Sequence, residues 1–138
     1  MTRGMTLLEV LVVIALVITM TATGAVALSE LQAIFKLRST ADEIRSMLQL
    51  GRELAVANKD LVAYTISLSG GLTVLQAGSN ELVRYLAPAG ITFSPSTFTY
   101  GFTPLTGQLT GCALPCGETL EYGNNSELVT IQANGIVN

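Results

Sequence analysis

Three patterns of apolar and polar positions follow one another along the chain: a nearly unbroken apolar run, a helical apolar stripe, and short apolar runs separated by glycine, proline and asparagine. Between residues 5 and 28 the one charged side chain is Glu9. At ~1.5 Å per residue a helix over this stretch crosses a hydrocarbon core of ~30 Å, so 5–28 reads as membrane-inserted. Thr19, Thr21, Thr23 and Gly24 lower helix propensity there without ending the helix.

After Glu30 the apolar positions Ile34, Leu37, Ala41, Ile44, Leu48, Gly51 and Ala55 recur three and four apart, which draws one stripe along an amphipathic helix. Lys36, Asp42, Glu43, Arg45, Arg52 and Glu53 mostly fall off it. Thr40-Ala41-Asp42-Glu43 fits a capping box and offers a break at 39–40. The stripe passes through without a phase change, so one helix over 5–58 is preferred, with Asn58-Lys59-Asp60 as a polar stop.

Beyond it, Val62, Tyr64, Ile66 and Leu68 share one face at period two, and Gly70-Gly71 turns the chain into 72–75, which predicts a hairpin. Further strands are expected at 82–86, 91–93, 98–102, 119–122 and 128–132, with a turn at Asn134-Gly135 before Ile136-Val137. The fold class is α+β: a long N-terminal helix packed on a small antiparallel β-sheet domain over 59–138.

Composition sharpens this. Of 138 residues 49% are hydrophobic and 12% charged, and a mean hydropathy of +0.52 is too high for an ordinary soluble domain unless part of the chain sits in lipid. A net charge of -3 gives no global basic field. Histidine is absent, and with it the commonest general base and metal ligand. No nucleophile elbow, phosphate loop or metal cluster is present in the sequence, so neither catalysis nor a cofactor nor a metal is expected. Glu118 and Glu121 read as solvated surface.

Glu9 is the anomaly of the apolar run, because a charge in a membrane helix costs roughly 2.5–3.5 kcal/mol on insertion scales. A cleaved secretory signal would use the small residues at 21–25, but the basic tip is short and Glu9 interrupts the apolar region. A plain membrane anchor leaves Glu9 unexplained. The third reading is a resemblance: Gly4-Met5-Thr6-Leu7-Leu8-Glu9 before an aliphatic run resembles the class III signal of type IV pilins and of the pseudopilins of type II secretion and competence systems. Met5 departs from the phenylalanine most frequent in that family, and the leader is short.

That resemblance implies removal of residues 1–4 by a prepilin peptidase, cleavage between Gly4 and Met5, and methylation of the new N-terminus. It places Glu9 fifth in the mature chain. There its carboxylate would meet the amine of a neighbouring Met5 inside an apolar bundle, where a paired charge is tolerated and an unpaired one is not. The implied partners are the peptidase, other pilin or pseudopilin subunits, and inner-membrane lipid before assembly. The implied location is the bacterial inner membrane, single-pass, with the N-terminus in and the C-terminal domain exported, and then a filament. Basic residues flanking the run, Arg3 before and Lys36, Arg38 and Arg45 after, do not favour that orientation by count; the leader motif decides it.

Cys112 and Cys116 are the only cysteines. Three readings stand: a small disulfide loop, free thiols, or a metal or redox site. Export favours oxidation, and two thiolates without histidine do not complete a tetrahedral zinc site. So short a loop contributes only ~2 kcal/mol, and its value is to stiffen a turn bounded by Gly111 and Gly117 that is displayed to partners.

The order of elements also resembles the GspH/FimT-like minor pseudopilins, through Arg52, Ala55, Asn58 and Val62 at the helix-to-strand junction and Val129-Thr130-Ile131 before Gly135. Some members of that group bind DNA through basic residues near the C-terminus. Here the tail Asn134-Gly135-Ile136-Val137-Asn138 has none, and past Lys59 the one basic residue is Arg84. A phosphate-tracking surface needs several cations, so nucleic acid is disfavoured, with Arg38, Arg45 and Arg52 keeping that reading open. The expectation is a minor pilin or pseudopilin. Its rivals are a DNA-binding uptake pilin and a membrane-anchored exported domain that never polymerises.

Overall fold

The computed structural model describes residues 6–57, 61–112, 116–132 and 134–137, with side chains 23–27 left outside the description. Gly4, Met5 and Asn58 therefore lie outside the described residues. The elements are α1 (Leu7–Ala57), β1 (Tyr64–Ser69), β2 (Leu72–Ala77), β3 (Asn80–Leu86), β4 (Thr92–Ser94), β5 (Thr97–Phe102), β6 (Leu109–Thr110), β7 (Cys116–Tyr122) and β8 (Asn125–Ile131). They fall into two compact units, Met1–Ala33 and Ile34–Asn138.

In the first unit α1 starts with its own cap. Thr6 Oγ1 accepts a hydrogen bond from Glu9 N at 3.4 Å, and Thr6 O accepts from Val10 N at 3.2 Å, which satisfies donors that a helix start leaves open. The helix runs on through Thr19 and Thr21, whose hydroxyls turn back onto it. Thr19 Oγ1 donates to Leu16 O at 2.9 Å and Thr21 Oγ1 to Val17 O at 2.7 Å. Leu7, Leu8, Leu11, Ile14 and Ile18 are exposed. Among the described residues no helix is long and apolar enough to cross a membrane.

In the second unit the expected helical stripe forms the core face: Leu37, Ala41, Ile44, Leu48, Gly51 and Ala55 are buried and Ile34 is half-buried. Thr40 and Met47 join them. Thr40 caps nothing; its Oγ1 donates to Lys36 O at 2.9 Å and accepts from Tyr85 Oη at 3.1 Å, so the capping-box sequence is absorbed into a continuous helix.

The strands form two antiparallel sheets where the sequence suggested one, a five-stranded sheet in the order β3-β2-β1-β5-β6 and a three-stranded sheet in the order β4-β7-β8. The β1–β2 hairpin turns through Gly70 and Gly71 at φ 59° and 81°, backbone that a mirror-type two-residue turn demands and that glycine adopts freely. Register then puts Ile66 opposite Leu75 and Tyr100, and Leu68 opposite Thr73 and Phe98, all on the helix-facing side. In the second sheet Cys116, Glu118 and Leu120 of β7 point inward, with Val129 and Ile131 of β8. The short β6 has no period-two signal of its own and was not expected.

Candidate functional site

Of the residues singled out in the sequence, Glu9 sits in the first turn of α1 with its side chain exposed. Thr6-Leu7-Leu8-Glu9 has the spacing of a capping box, of which the structure shows the threonine half, Glu9 N on Thr6 Oγ1. The cleavage positions Gly4 and Met5 lie outside the described residues.

A disulfide joins Cys112, just after β6, to Cys116, the first residue of β7, with the Cα atoms 6.1 Å apart. It fastens the five-stranded sheet to the three-stranded one. A second fastening crosses the same seam: Tyr100 Oη on β5 donates to Glu118 Oε1 on β7. Glu118 is thus a correction, fully buried where solvated surface was expected, while Glu121 is exposed. The signal was available in the alternation Cys116, Glu118, Leu120. Burial pushes the Glu118 carboxyl above the usual range, and the Tyr100 bond opposes that. Burial, then the bond to Glu118 and its charge, push the Tyr100 phenol up.

Of the positions that carried the second resemblance, the structure brings Arg52 and Gly135 together. Arg52 Nε donates to Asn134 O at 3.1 Å across 82 residues. Its stem lies against two glycines. A Cβ on Gly135 would stand 2.8 Å from Arg52 Cδ and 2.6 Å from Gly107 O, and one on Gly107 would stand 3.1 Å from Arg52 Cγ. Ala55 is buried beside them, and its carbonyl accepts from Leu105 N at 2.9 Å, answering one open acceptor at the helix end. Gln49, Arg52, Glu53, Gly135, Ile136 and Val137 line a small cleft of about 160 Å³. Gly135 sits at φ 77°, where an L side chain costs roughly 1–2 kcal/mol. Gly135→Ala adds the steric conflict and is expected to lower unfolding stability by roughly 2 kcal/mol or more in urea titration. A variant within error of the parent would mean that the tail is not clasped in this way.

Of the three arginines that left DNA open, Arg45 and Arg52 are engaged by the protein. Arg45 reaches Asp42 at 2.9 Å, Glu127 at 3.1 Å and Leu128 O at 3.2 Å, tying α1 to β8. Arg84 pairs with Glu81 at 2.8 Å, and Lys36 lies over the Tyr122 ring at 5.8 Å. Arg38 is exposed. Cations already held by carboxylates are poorly placed to displace counterions from a phosphate backbone.

The chain matches no protein-family profile and no curated protein sequence. Its fold is similar to that of the type IV minor pilin FimU of Pseudomonas aeruginosa strain PAO1. Against that protein in space group P21 the TM-score is 0.56 at 20% identity, covering 74% of this chain and 86% of that one. Against it in space group P65 the score is 0.53 at 20% identity, covering 74% and 90%. The fold is pilin-like: one long N-terminal helix packed against antiparallel β-sheets.

Proposed function

We propose that the chain is a minor pilin or pseudopilin, a structural subunit of a type IV filament system serving pilus assembly, type II secretion or competence. The observation that carries this reading is the conjunction of a pilin-like fold with Gly4-Met5-Thr6-Leu7-Leu8-Glu9 at the head of its helix. In this reading a prepilin peptidase removes residues 1–4, the helix anchors the subunit in the inner membrane, and the exported domain joins a filament through other pilin subunits. The role is structural; no residue is assigned to catalysis. The clasp of Arg52 on Gly135 supports placing the chain with the GspH/FimT-like group.

DNA uptake by direct contact is the lesser reading, because Arg45, Arg52 and Arg84 are held by protein oxygens and the tail carries no cation, which leaves Arg38 as the exposed helix arginine where a phosphate-tracking surface needs several. In a filament-forming host the full chain is expected in the sheared extracellular filament fraction or in pulled-down assembly complexes. Recovery of all of it as dispersed membrane protein would leave the reading without support.

A further inference from the structure

We propose that Glu118 is a proton latch between the two sheets, held as the neutral acid in the folded domain, and that its ionisation as the pH rises releases β7 from β5. This goes beyond the filament reading and does not depend on it.

The geometry is that of a carboxyl placed where an anion would have one phenol donor and no facing cation among the described residues. Glu118 is fully buried, Tyr100 Oη meets Oε1, and Oε2 has no hydrogen-bond partner among the described residues. Its neighbours by register are Cys116 and Leu120 on the same face of β7 and Val129 opposite on β8. The charged groups on the elements around it are accounted for elsewhere. On β8, Glu127 lies diagonally across and is paired with Arg45 of α1 at 3.1 Å, and Arg45 is also bound to Asp42 at 2.9 Å. Lys36 of α1 is over Tyr122, at the far end of β7. Tyr100 is the titratable group on β5, and its phenol is itself held in the protonated form by burial and by Glu118. A buried carboxylate with one phenol donor and no cation is the species the fold disfavours.

The direction follows from linkage. The folded state holds a proton that the unfolded chain releases near the ordinary glutamate pKa of ~4.3. The latch is therefore complete below that value. Between that value and the raised folded value the closed latch keeps its proton and opening releases it to solvent, so the folding equilibrium moves toward the unfolded side by up to about tenfold per pH unit. The disulfide at Cys112–Cys116 holds the same seam two residues away, so opening starts at Glu118 without separating the chain there.

The test compares full-length protein in detergent with Glu118→Gln, which keeps an acceptor for Tyr100 and cannot ionise. Urea unfolding from pH 4.5 to 8 is expected to show the wild-type equilibrium falling relative to the Gln variant by several-fold to tenfold per pH unit across the titration. Amide exchange at β5 and β7, taken as the wild-type to variant ratio at each pH, is expected to rise over the same range while β2 and β3 stay level. Parallel profiles for the two proteins overturn the latch. Should Glu118→Gln not fold, the carboxyl carbon of Glu118 in the wild type, followed by NMR through a pH titration, decides alone: a midpoint above the ordinary glutamate value of ~4.3 supports the proposal, and one at or below it overturns it.

Discussion

Glu9→Ala is expected to leave membrane insertion intact and to remove the chain from the filament fraction. Insertion should not suffer, because the substitution takes out the only charge between residues 5 and 28. Assembly should, if Glu9 pairs with the amine of a neighbouring Met5 as proposed, because removing one partner of a buried ion pair leaves the other charge uncompensated, at about 3–5 kcal/mol. That is roughly 10²- to 10⁴-fold in subunit association. The competing role of Glu9 is local. It sits in the first turn, where an acidic side chain favours the helix by about 0.3–1 kcal/mol, and losing that cannot unwind a helix of 51 residues. The two roles separate in one experiment, immunoblotting of membrane and sheared-filament fractions. Normal filament incorporation of the Ala variant would refute the pairing of Glu9 with a neighbouring N-terminus.

The second large effect is expected at Leu48→Ala. Leu48 is 0% exposed on the core face of α1, and the core joins it to both sheets through residues such as Leu75, Phe102, Leu120 and Ile131. Truncating a buried leucine costs about 2–5 kcal/mol in lost transfer energy and residual cavity. A domain stable by only 5–15 kcal/mol, as is usual, would lose a large part of its margin. Leu50, two residues on, is 38% exposed, and Leu50→Ala should stay within ~1 kcal/mol. Urea unfolding of both variants in detergent checks the pair; equal losses would mean that the helix buries a different face.

The helix and its buried face were legible because a 3.6-residue period persists from Ile34 to Ala55 through a helix long enough to show it. Continuity through Thr40 was decided by tertiary structure: a hydroxyl that could cap a helix is instead bonded to Lys36 O and met by Tyr85 from 45 residues away. The hairpin at Gly70-Gly71 was legible since glycine adopts both positive φ values freely. The split into two sheets was not. Strand alternation says which side chains share a face, while the seam between β5 and β7 depends on pairings distant in sequence. Glu118 was misjudged for a related reason: its charge argued for solvent, whereas its place between Cys116 and Leu120 argued for the interior, and packing won. The clasp of Arg52 was half-visible, as a pair of positions 83 apart in sequence whose contact only the fold could supply.

The central claim is that the head of the helix is a processing signal on a filament subunit. The most direct measurement is mass spectrometry of the N-terminal peptide of the full chain, recovered from a host with an active prepilin peptidase. The account predicts a mature chain that begins at N-methylated Met5; a chain still beginning at Met1, or one cut within 21–25, would contradict it.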